Sequence, residues 1–327
     1  MTESVLEFPS TELSRVREIQ ARILDLKRER NAILVVHNYQ RDEIQEIADI
    51  TGDSLALAQA AMLSDAHILL FCGVRFMAES ANVLNPEKIV LLANQDAGCP
   101  MSDMVTPERL IKRKAEVPDA AVVAYVNCSA AVKAEADICC TSANAVEIVR
   151  SLPQRRILFV PDKNLAQYVQ SQVPEKEILL WRGFCPTHVK ITREDVLRAK
   201  REHPHAEFIA HPECPPDVLA LADHIGSTSG MIKIAGTSSA AEFIIGTESG
   251  MLYKLRTTHP TKSFYLASEK FVCPTMKMTT LGWVLHALET MQVEIRVPEE
   301  IARRARVSLE RMLEVSGGKK WEAIAGY

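Results

Sequence analysis

The stretch AILVVHNYQ, at residues 32–40, decides the fold. Its uninterrupted apolar run, which ends at His37, is typical of a strand buried on both faces of a sheet. The residues that follow, RDEIQEIADI, place apolar side chains three and four positions apart, as an amphipathic helix does. The same alternation continues along the 327 residues and predicts an α/β protein with parallel sheets covered by helices. The predicted strands are AILVVH (32–37), HILLFC (67–72), KIVLLA (88–93), AVVAYV (121–126), RILFVP (156–161), EILLWR (177–182), EFIAHP (207–212), EFIIGT (242–247) and SFYLAS (263–268).

A long internal repeat relates three parts of the chain. When His37 is aligned with Tyr125 and then with His211, at intervals of 88 and 86 residues, three further sets of residues fall into register. An Ala-Asp pair follows after 11 residues, a hydroxyl residue after 17, and a cysteine after 60 to 62. The aligned residues are Asp49, Asp137 and Asp223; Ser54, Ser142 and Thr228; and Cys99, Cys185 and Cys273. Four sets in register indicate a triplicated unit.

The repeat predicts three pseudo-symmetric αβα units around a central active site. Their predicted bounds are 31–118, 119–205 and 206–293, with a helical segment at 1–30 and a C-terminal helix and tail at 294–327. In parallel α/β sheets, residues just beyond the carboxyl ends of the strands gather along one edge, where ligands bind. If the three edges face a common axis, the three aligned cysteines reach the same point.

The 8 cysteines do not suggest a disulfide framework, because the chain has no secretory signal pattern. Buried thiols, a metal site and reactive thiolates are the remaining alternatives. A structural zinc ion takes four ligands, often from CxxC pairs, and the sequence contains no CxxC string. An iron-sulfur cluster accepts thiolates from separate loops, so three aligned cysteines favour a cluster with one iron open to substrate as a Lewis acid. The other cysteines are expected to be structural: Cys72, Cys128, Cys139, Cys140 and Cys214.

Several short sequence motifs in the chain occur together in one protein family. They are HNYQ (37–40), GDS (52–54), FMAES (76–80), NPEKIVLL (85–92), AGCPMSDM (97–104), VKAEADICCTSANA (132–145), GFCPTH (183–188), HPEC (211–214), GSTSGMI (226–232), TESG (247–250) and CPTMKMTTL (273–281). Together they resemble the quinolinate synthase family from about residue 30 to residue 285. Two departures are visible, Ala93 in place of a common proline and the lack of extra cysteines in the last string, and neither affects an aligned cysteine.

The resemblance implies three homologous αβα domains and a [4Fe-4S] cluster held by Cys99, Cys185 and Cys273. It also implies the condensation of iminoaspartate with dihydroxyacetone phosphate to quinolinate, with release of phosphate and water. A partnership with L-aspartate oxidase, which makes iminoaspartate, is part of the same implication. Two alternatives stay open at this point: an iron-sulfur hydro-lyase acting on another small polycarboxylate, and a non-catalytic iron-sulfur sensor or electron carrier.

The aligned strand ends supply the predicted site residues. Side chains two positions apart on an extended strand end point to the same side, so Glu213 and His211 are predicted as a general acid and base pair. Hydroxyl residues at helix starts, where free amides favour anions, predict phosphate or carboxylate binding. Predicted catalytic residues are Tyr39, Tyr125, His188, His211 and Glu213. Predicted substrate-binding residues are His37, Ser54, Asn127, Ser142, Thr228 and Ser229.

Composition excludes several classes of function. The formal net charge is -4 and charges of both signs alternate, so no basic stripe suggests nucleic-acid binding. No apolar run is long enough for a membrane span, which predicts a cytoplasmic protein. GxxxxGK and GxGxxG strings do not occur, so ATP and NAD are not expected as cofactors.

Overall fold

The computed structural model describes residues 10–317 and contains three parallel sheets of four strands each. The first sheet comprises β1 (Ala32–His37), β2 (Ile50–Gly52), β3 (Ile68–Cys72) and β4 (Ile89–Leu92). The second comprises β5 (Ala121–Tyr125), β6 (Ile138–Cys140), β7 (Arg156–Val160) and β8 (Glu177–Leu180). The third comprises β9 (Glu207–Ala210), β10 (His224–Ile225), β11 (Glu242–Gly246) and β12 (Ser263–Leu266). The predicted α/β class with three αβα units is therefore confirmed.

The three sheets share one topology. Their strand orders are β2-β1-β3-β4, β6-β5-β7-β8 and β10-β9-β11-β12, so the first strand of each unit lies inside its sheet. The central strands are almost entirely buried, as the continuous apolar runs predict. All nine predicted strands are present, and each starts within one residue of its predicted start.

One short strand in each unit was not predicted from the sequence: β2, β6 and β10. RDEIQEIADI was predicted to be helical, but its helix ends at Gln45 and the chain then turns to pair with β1. The aligned aspartate directs this turn, because its carboxylate accepts a hydrogen bond from an amide of the neighbouring strand. The backbone amides of Leu34, Val122 and Phe208 donate to the carboxylates of Asp49, Asp137 and Asp223, respectively, each at 2.7 Å. The aspartate of the repeated Ala-Asp pair therefore links neighbouring strands within each unit.

Helices cover both faces of the sheets. The helices of the first part of the chain are α1 (Ser10–Arg30), α2 (Asp42–Gln45), α3 (Ser54–Leu63), α4 (Arg75–Leu84) and α5 (Pro107–Glu116). Those of the second part are α6 (Ala130–Lys133), α7 (Ala145–Ser151), α8 (Lys163–Gln172) and α9 (Arg193–Glu202). Those of the third are α10 (Pro216–Leu219), α11 (Thr228–Thr237), α12 (Met251–Thr258), α13 (Pro274–Lys277), α14 (Leu281–Thr290) and α15 (Glu299–Ser316).

The last two helices pack away from the third sheet. The buried face of α14, which includes Val284 and Leu288, joins the core formed by α1 and the first sheet. The buried face of α15, which includes Leu309 and Met312, joins the core that spans the first and second sheets. The bounds proposed for the units stay a prediction. Within residues 10–317, no helix has the length and apolar character that crossing a membrane requires.

Candidate active site

The carboxyl ends of the three sheets surround one cavity. Thirteen of the fourteen predicted site residues line it, and they come from all three units. These residues are His37, Tyr39, Ser54, Cys99, Tyr125, Asn127, Ser142, Cys185, His188, His211, Glu213, Thr228 and Cys273. Ser229 is the exception, since it is exposed and its hydroxyl donates to the Asp53 carboxylate. The repeat therefore places distant parts of the sequence around a single site.

Three cysteines differ from the rest in exposure. Cys99, Cys185 and Cys273 follow the last strand of each sheet and are half-buried at the cavity, whereas the other five are buried. Among residues 10–317, the one group of three metal-ligating side chains with all donor atoms within 4.8 Å does not combine these cysteines. Thiolates from three separate loops are a ligand set that an iron-sulfur cluster accepts, so this set suits a polynuclear cluster.

Burial disfavours free thiolates at this point of the molecule. It raises the pKa of Cys99 to about 12, and it raises the pKa of Cys185 well above its usual range with a further contribution from Glu213. A bound metal removes this penalty, because its positive charge stabilises the thiolate form. Metal binding by Cys99 and Cys185 would therefore release their thiol protons.

Two buried carboxylates hold the cysteine loops, and the sequence analysis did not identify them. Asp162 accepts a hydrogen bond from the amide of Cys185 at 3.0 Å, and Glu248 accepts one from the amide of Cys273 at 3.1 Å. Each acid lies two residues beyond the third strand of its unit in sequence, β7 or β11, and neither is exposed. The first unit has Val74 at this position. A carboxylate at the same place in two of three repeats was the signal that could have revealed this pair.

His37 and His211 have the same protonation pattern. The backbone amide of Tyr39 donates to His37 Nδ1 at 3.1 Å, and that of Glu213 donates to His211 Nδ1 at 3.3 Å. An accepting Nδ1 has no proton, so each neutral ring has its proton on Nε2. Burial lowers the pKa of His37 to about 4 and that of His211 to about 3, against the opposing effect of Glu213. Both rings are therefore neutral hydrogen-bond donors near pH 7.

Glu213 is the centre of a buried polar network. Its Oε2 lies 2.8 Å from His188 Nδ1 and 3.7 Å from His211 Nδ1. The nearest imidazole is thus that of His188, from another unit, and the role predicted for Glu213 with His211 stays a prediction. Burial favours a raised pKa for Glu213, but His188, His211 and a hydrogen bond with Tyr125 outweigh it and hold the pKa at about 2. The carboxylate is therefore ionised and tied to an imidazole.

Thr247 connects the other side of this network, and the sequence analysis gave it no role. Its hydroxyl oxygen lies 2.9 Å from His188 Nε2 and 2.6 Å from the Tyr39 hydroxyl. Burial, followed by Glu213, raises the pKa of both Tyr39 and Tyr125 well above its usual range. Both phenols therefore keep their protons.

The aligned hydroxyls do not cap helices. The caps of α3 and α11 are the preceding residues Asp53 and Ser227, whose side chains accept hydrogen bonds from backbone amides. Ser54 and Thr228 are the first residues of those helices, and both line the cavity. Ser142 precedes α7 and lies 3.2 Å from His211 Nε2. Thr228 Oγ1 accepts a hydrogen bond from Asn38 Nδ2 at 2.9 Å. The three hydroxyls thereby lie at a site to which two helix N-termini also contribute.

Asn127 has an unused acceptor in the cavity wall. Its amide nitrogen donates to Glu213 Oε1 at 3.5 Å, whereas its buried Oδ1 has no hydrogen-bond partner among residues 10–317. A buried polar atom without a partner costs about 1–3 kcal/mol. An N–H group of a bound molecule is the natural partner for this oxygen.

Comparison with known proteins identifies the family. The profile of the family described as quinolinate synthetase A protein, NadA, matches residues 21–314. The chain belongs to this family. The curated quinolinate synthase of Geobacter metallireducens is 56% identical over 297 residues, which cover 91% of this chain and 97% of the relative. Quinolinate synthase 1 of Methanosarcina acetivorans is also 56% identical, with 90% and 96% covered. The quinolinate synthase of Thermodesulfovibrio yellowstonii is 53% identical, with 89% and 96% covered.

Membership in the quinolinate synthetase A family confirms the resemblance and the prediction that the chain is an enzyme. It disfavours both alternatives, the hydro-lyase and the non-catalytic sensor. The structure adds a cavity with metal-ligating side chains, among which Cys185, His188 and Glu213 lie closest together.

Proposed function

We propose that the chain is a quinolinate synthase, which condenses iminoaspartate with dihydroxyacetone phosphate and releases phosphate and water. One observation supports this most strongly. Three half-buried cysteines from equivalent loops line the same cavity as buried imidazole, carboxylate and phenol groups from all three units. A ring-forming condensation needs this combination, because it requires an electrophile, proton carriers and anion sites at one place.

We assign Cys99, Cys185 and Cys273 as the ligands of a [4Fe-4S] cluster. Three protein ligands for four irons leave one iron open, and when bound the cluster supplies a Lewis acid that helps a substrate hydroxyl group to leave. The position of the three cysteines on equivalent loops of the three units supports a polynuclear group over a single ion.

We assign anion binding to the neutral imidazoles and to the N-termini of the helices at the cavity. His37 and His211 present Nε2–H groups, and Ser54, Ser142 and Thr228 present hydroxyls at the same cavity. The N-termini of α3 and α11 add free amides and a partial positive charge. No lysine or arginine among residues 10–317 lines this cavity, so the two carboxylates and the phosphate are assigned to these donors.

We assign proton transfer to the hydrogen-bonded side chains around Glu213. The ionised carboxylate of Glu213 takes a proton from a carbon next to a carbonyl or imine group, and His188, 2.8 Å away, accepts or returns it. Tyr125 hydrogen-bonds the same carboxylate and is a second proton carrier. Tyr39 stays protonated and donates to a substrate oxygen.

Orientation of the nitrogen-containing substrate is assigned to Asn127. Its free Oδ1 accepts a hydrogen bond, so it binds an imine N–H. The same amide donates to Glu213, which fixes the imine beside the proton acceptor.

The test is anaerobic purification with iron and sulfide counts, followed by an assay for quinolinate from iminoaspartate and dihydroxyacetone phosphate. Cys273→Ser is expected to lose the cluster and the activity. Cys214→Ser is the matched control, because Cys214 also precedes a proline but is buried and bonds the Gly246 carbonyl. Loss of the cluster in Cys214→Ser with retention in Cys273→Ser would overturn the ligand assignment. A colourless aerobic preparation with full activity would overturn the mechanism.

The cytoplasmic location and the partnership with L-aspartate oxidase remain proposals. They rest on the resemblance and on the instability of an imine in water, which favours direct transfer from its source. Co-purification of the two proteins from one cell extract tests the partnership.

A further inference from the structure

Three metal-ligating side chains in the cavity form one compact group: Cys185, His188 and Glu213. Cys185 Sγ lies 3.1 Å from His188 Nδ1, which lies 2.8 Å from Glu213 Oε2. All three donor atoms are within 4.8 Å of one another. His188 and Glu213 are almost fully buried, with 1% and 3% exposure.

The donor set matches a zinc-type ion. Thiolate, imidazole and carboxylate are the three protein ligands found at zinc sites, and three of them leave a fourth position open. Cys185 and His188 are three residues apart, which is a local pair with the spacing of zinc-binding loops. Tetrahedral coordination places such donor atoms about 3–4 Å apart, so the present distances need only a small expansion when an ion replaces the shared imidazole proton.

Outer contacts already fix each ligand. Thr247 lies 2.9 Å from His188 Nε2, which orients the ring with Nδ1 toward the other two ligands. Asn127 contacts Glu213 Oε1 and leaves Oε2 for a metal. Asp162 accepts a hydrogen bond from the backbone amide of Cys185 and thereby holds the loop that supplies the sulfur.

We propose that the chain, when it has no cluster, binds one divalent transition-metal ion through Cys185, His188 and Glu213, and that this ion blocks cluster assembly. The block rests on the proposed function, since it arises because Cys185 is both an ion ligand and a cluster ligand. Binding releases the thiol proton to solvent, and the ring proton displaced from His188 Nδ1 is carried on Nε2, which faces the Thr247 hydroxyl oxygen. No oxidation state changes, so no further reactant is needed.

The test uses the full chain, freed of iron and sulfide by a chelator under anaerobic conditions and titrated with Co²⁺. One equivalent of Co²⁺ is expected to produce a sulfur-to-cobalt absorption band, and Zn²⁺ is expected to remove it. His188→Asn and Glu213→Gln should each weaken Co²⁺ binding at least tenfold, and Cys185→Ser should abolish the band. Cys99→Ser and Cys273→Ser should leave the affinity within about threefold. Far-UV circular dichroism checks that each variant is folded.

At least tenfold losses in Cys99→Ser and Cys273→Ser, with the affinity of His188→Asn unchanged, would overturn the proposal, since they would place the ion on the three sulfurs. Absence of stoichiometric binding would overturn it as well.

Cluster assembly is a separate measurement. Chain preloaded with one equivalent of Zn²⁺ should take up iron and sulfide at least tenfold more slowly, and a chelator should restore the rate. Unchanged uptake would refute the block. Quinolinate production by the reconstituted wild-type chain is measured independently, so a failure of the metal proposal is distinguishable from a failure of the proposed function.

Discussion

The neutral state of His37 depends on burial and can be measured through stability. Its pKa is lowered to about 4 in the folded chain from 6.5, so protonation favours the unfolded state between these values. The contribution of neutral His37 to the free energy of unfolding should be complete above pH 6.5. It should decrease as the pH drops toward 4, by up to about 1.4 kcal/mol per pH unit.

His37→Gln removes this contribution. The thermal midpoint of the cluster-free chain should therefore fall less between pH 7 and pH 5.5 in His37→Gln than in the wild type. The exposed residue His205 provides the control, and His205→Gln should keep the wild-type pH dependence. The same dependence in all three proteins would show that His37 is not held neutral by burial.

Glu213→Gln tests the proton carrier. The amide keeps the hydrogen-bonding shape but cannot take a proton, so kcat should fall by about 10²–10⁴ while iron and sulfide content stays unchanged. Glu175→Gln, the same substitution at an exposed position, should have wild-type kcat. If the variant has an intact cluster and a kcat within threefold of wild type, a residue other than Glu213 carries the proton.

At the scale of single elements, the aspartate of each repeat links two strands. Asp137→Ala leaves the buried amide of Val122 without a partner and should lower the free energy of unfolding by about 1–3 kcal/mol. Asp137→Asn keeps an oxygen acceptor and should cost less. Denaturant unfolding of the cluster-free variants measures both, and equal values would show that the hydrogen bond contributes nothing.

The cysteine loops give a second prediction at this scale. Glu248→Gln keeps an oxygen near the amide of Cys273 but removes a buried negative charge. A cluster should still assemble, and its reduction midpoint should rise, because net charge near a cluster sets its potential. Asp162→Asn, at the amide of Cys185, should shift the midpoint less, because burial and Glu213 raise the pKa of Asp162 well above its usual range and thereby disfavour its charged form. A redox titration followed by EPR measures both, and a downward shift would contradict the argument.

For the whole molecule, periodicity and repetition predicted more than local chemistry did. The nine long strands and the convergence of thirteen site residues follow from patterns that the sequence displays. The strands β2, β6 and β10 have only two or three residues, too few to show a pattern, and their pairing depends on a side-chain hydrogen bond. The contact between Glu213 and His188 was also beyond prediction, because it joins two units whose relative rotation no sequence spacing encodes.

Hydrogen bonds between units converge near the cavity, as Gln40 to the Met276 carbonyl and Asn164 to the Glu213 carbonyl illustrate, both at 3.0 Å. A cluster with one ligand per unit would act as a cross-link among the three units. Deuterium uptake at these contacts should then be slower in the loaded protein, and equal uptake in loaded and cluster-free protein would refute the cross-link. Oxygen that destroys the cluster would thereby expose the chain to proteases and shorten its lifetime in the cell, in addition to stopping catalysis.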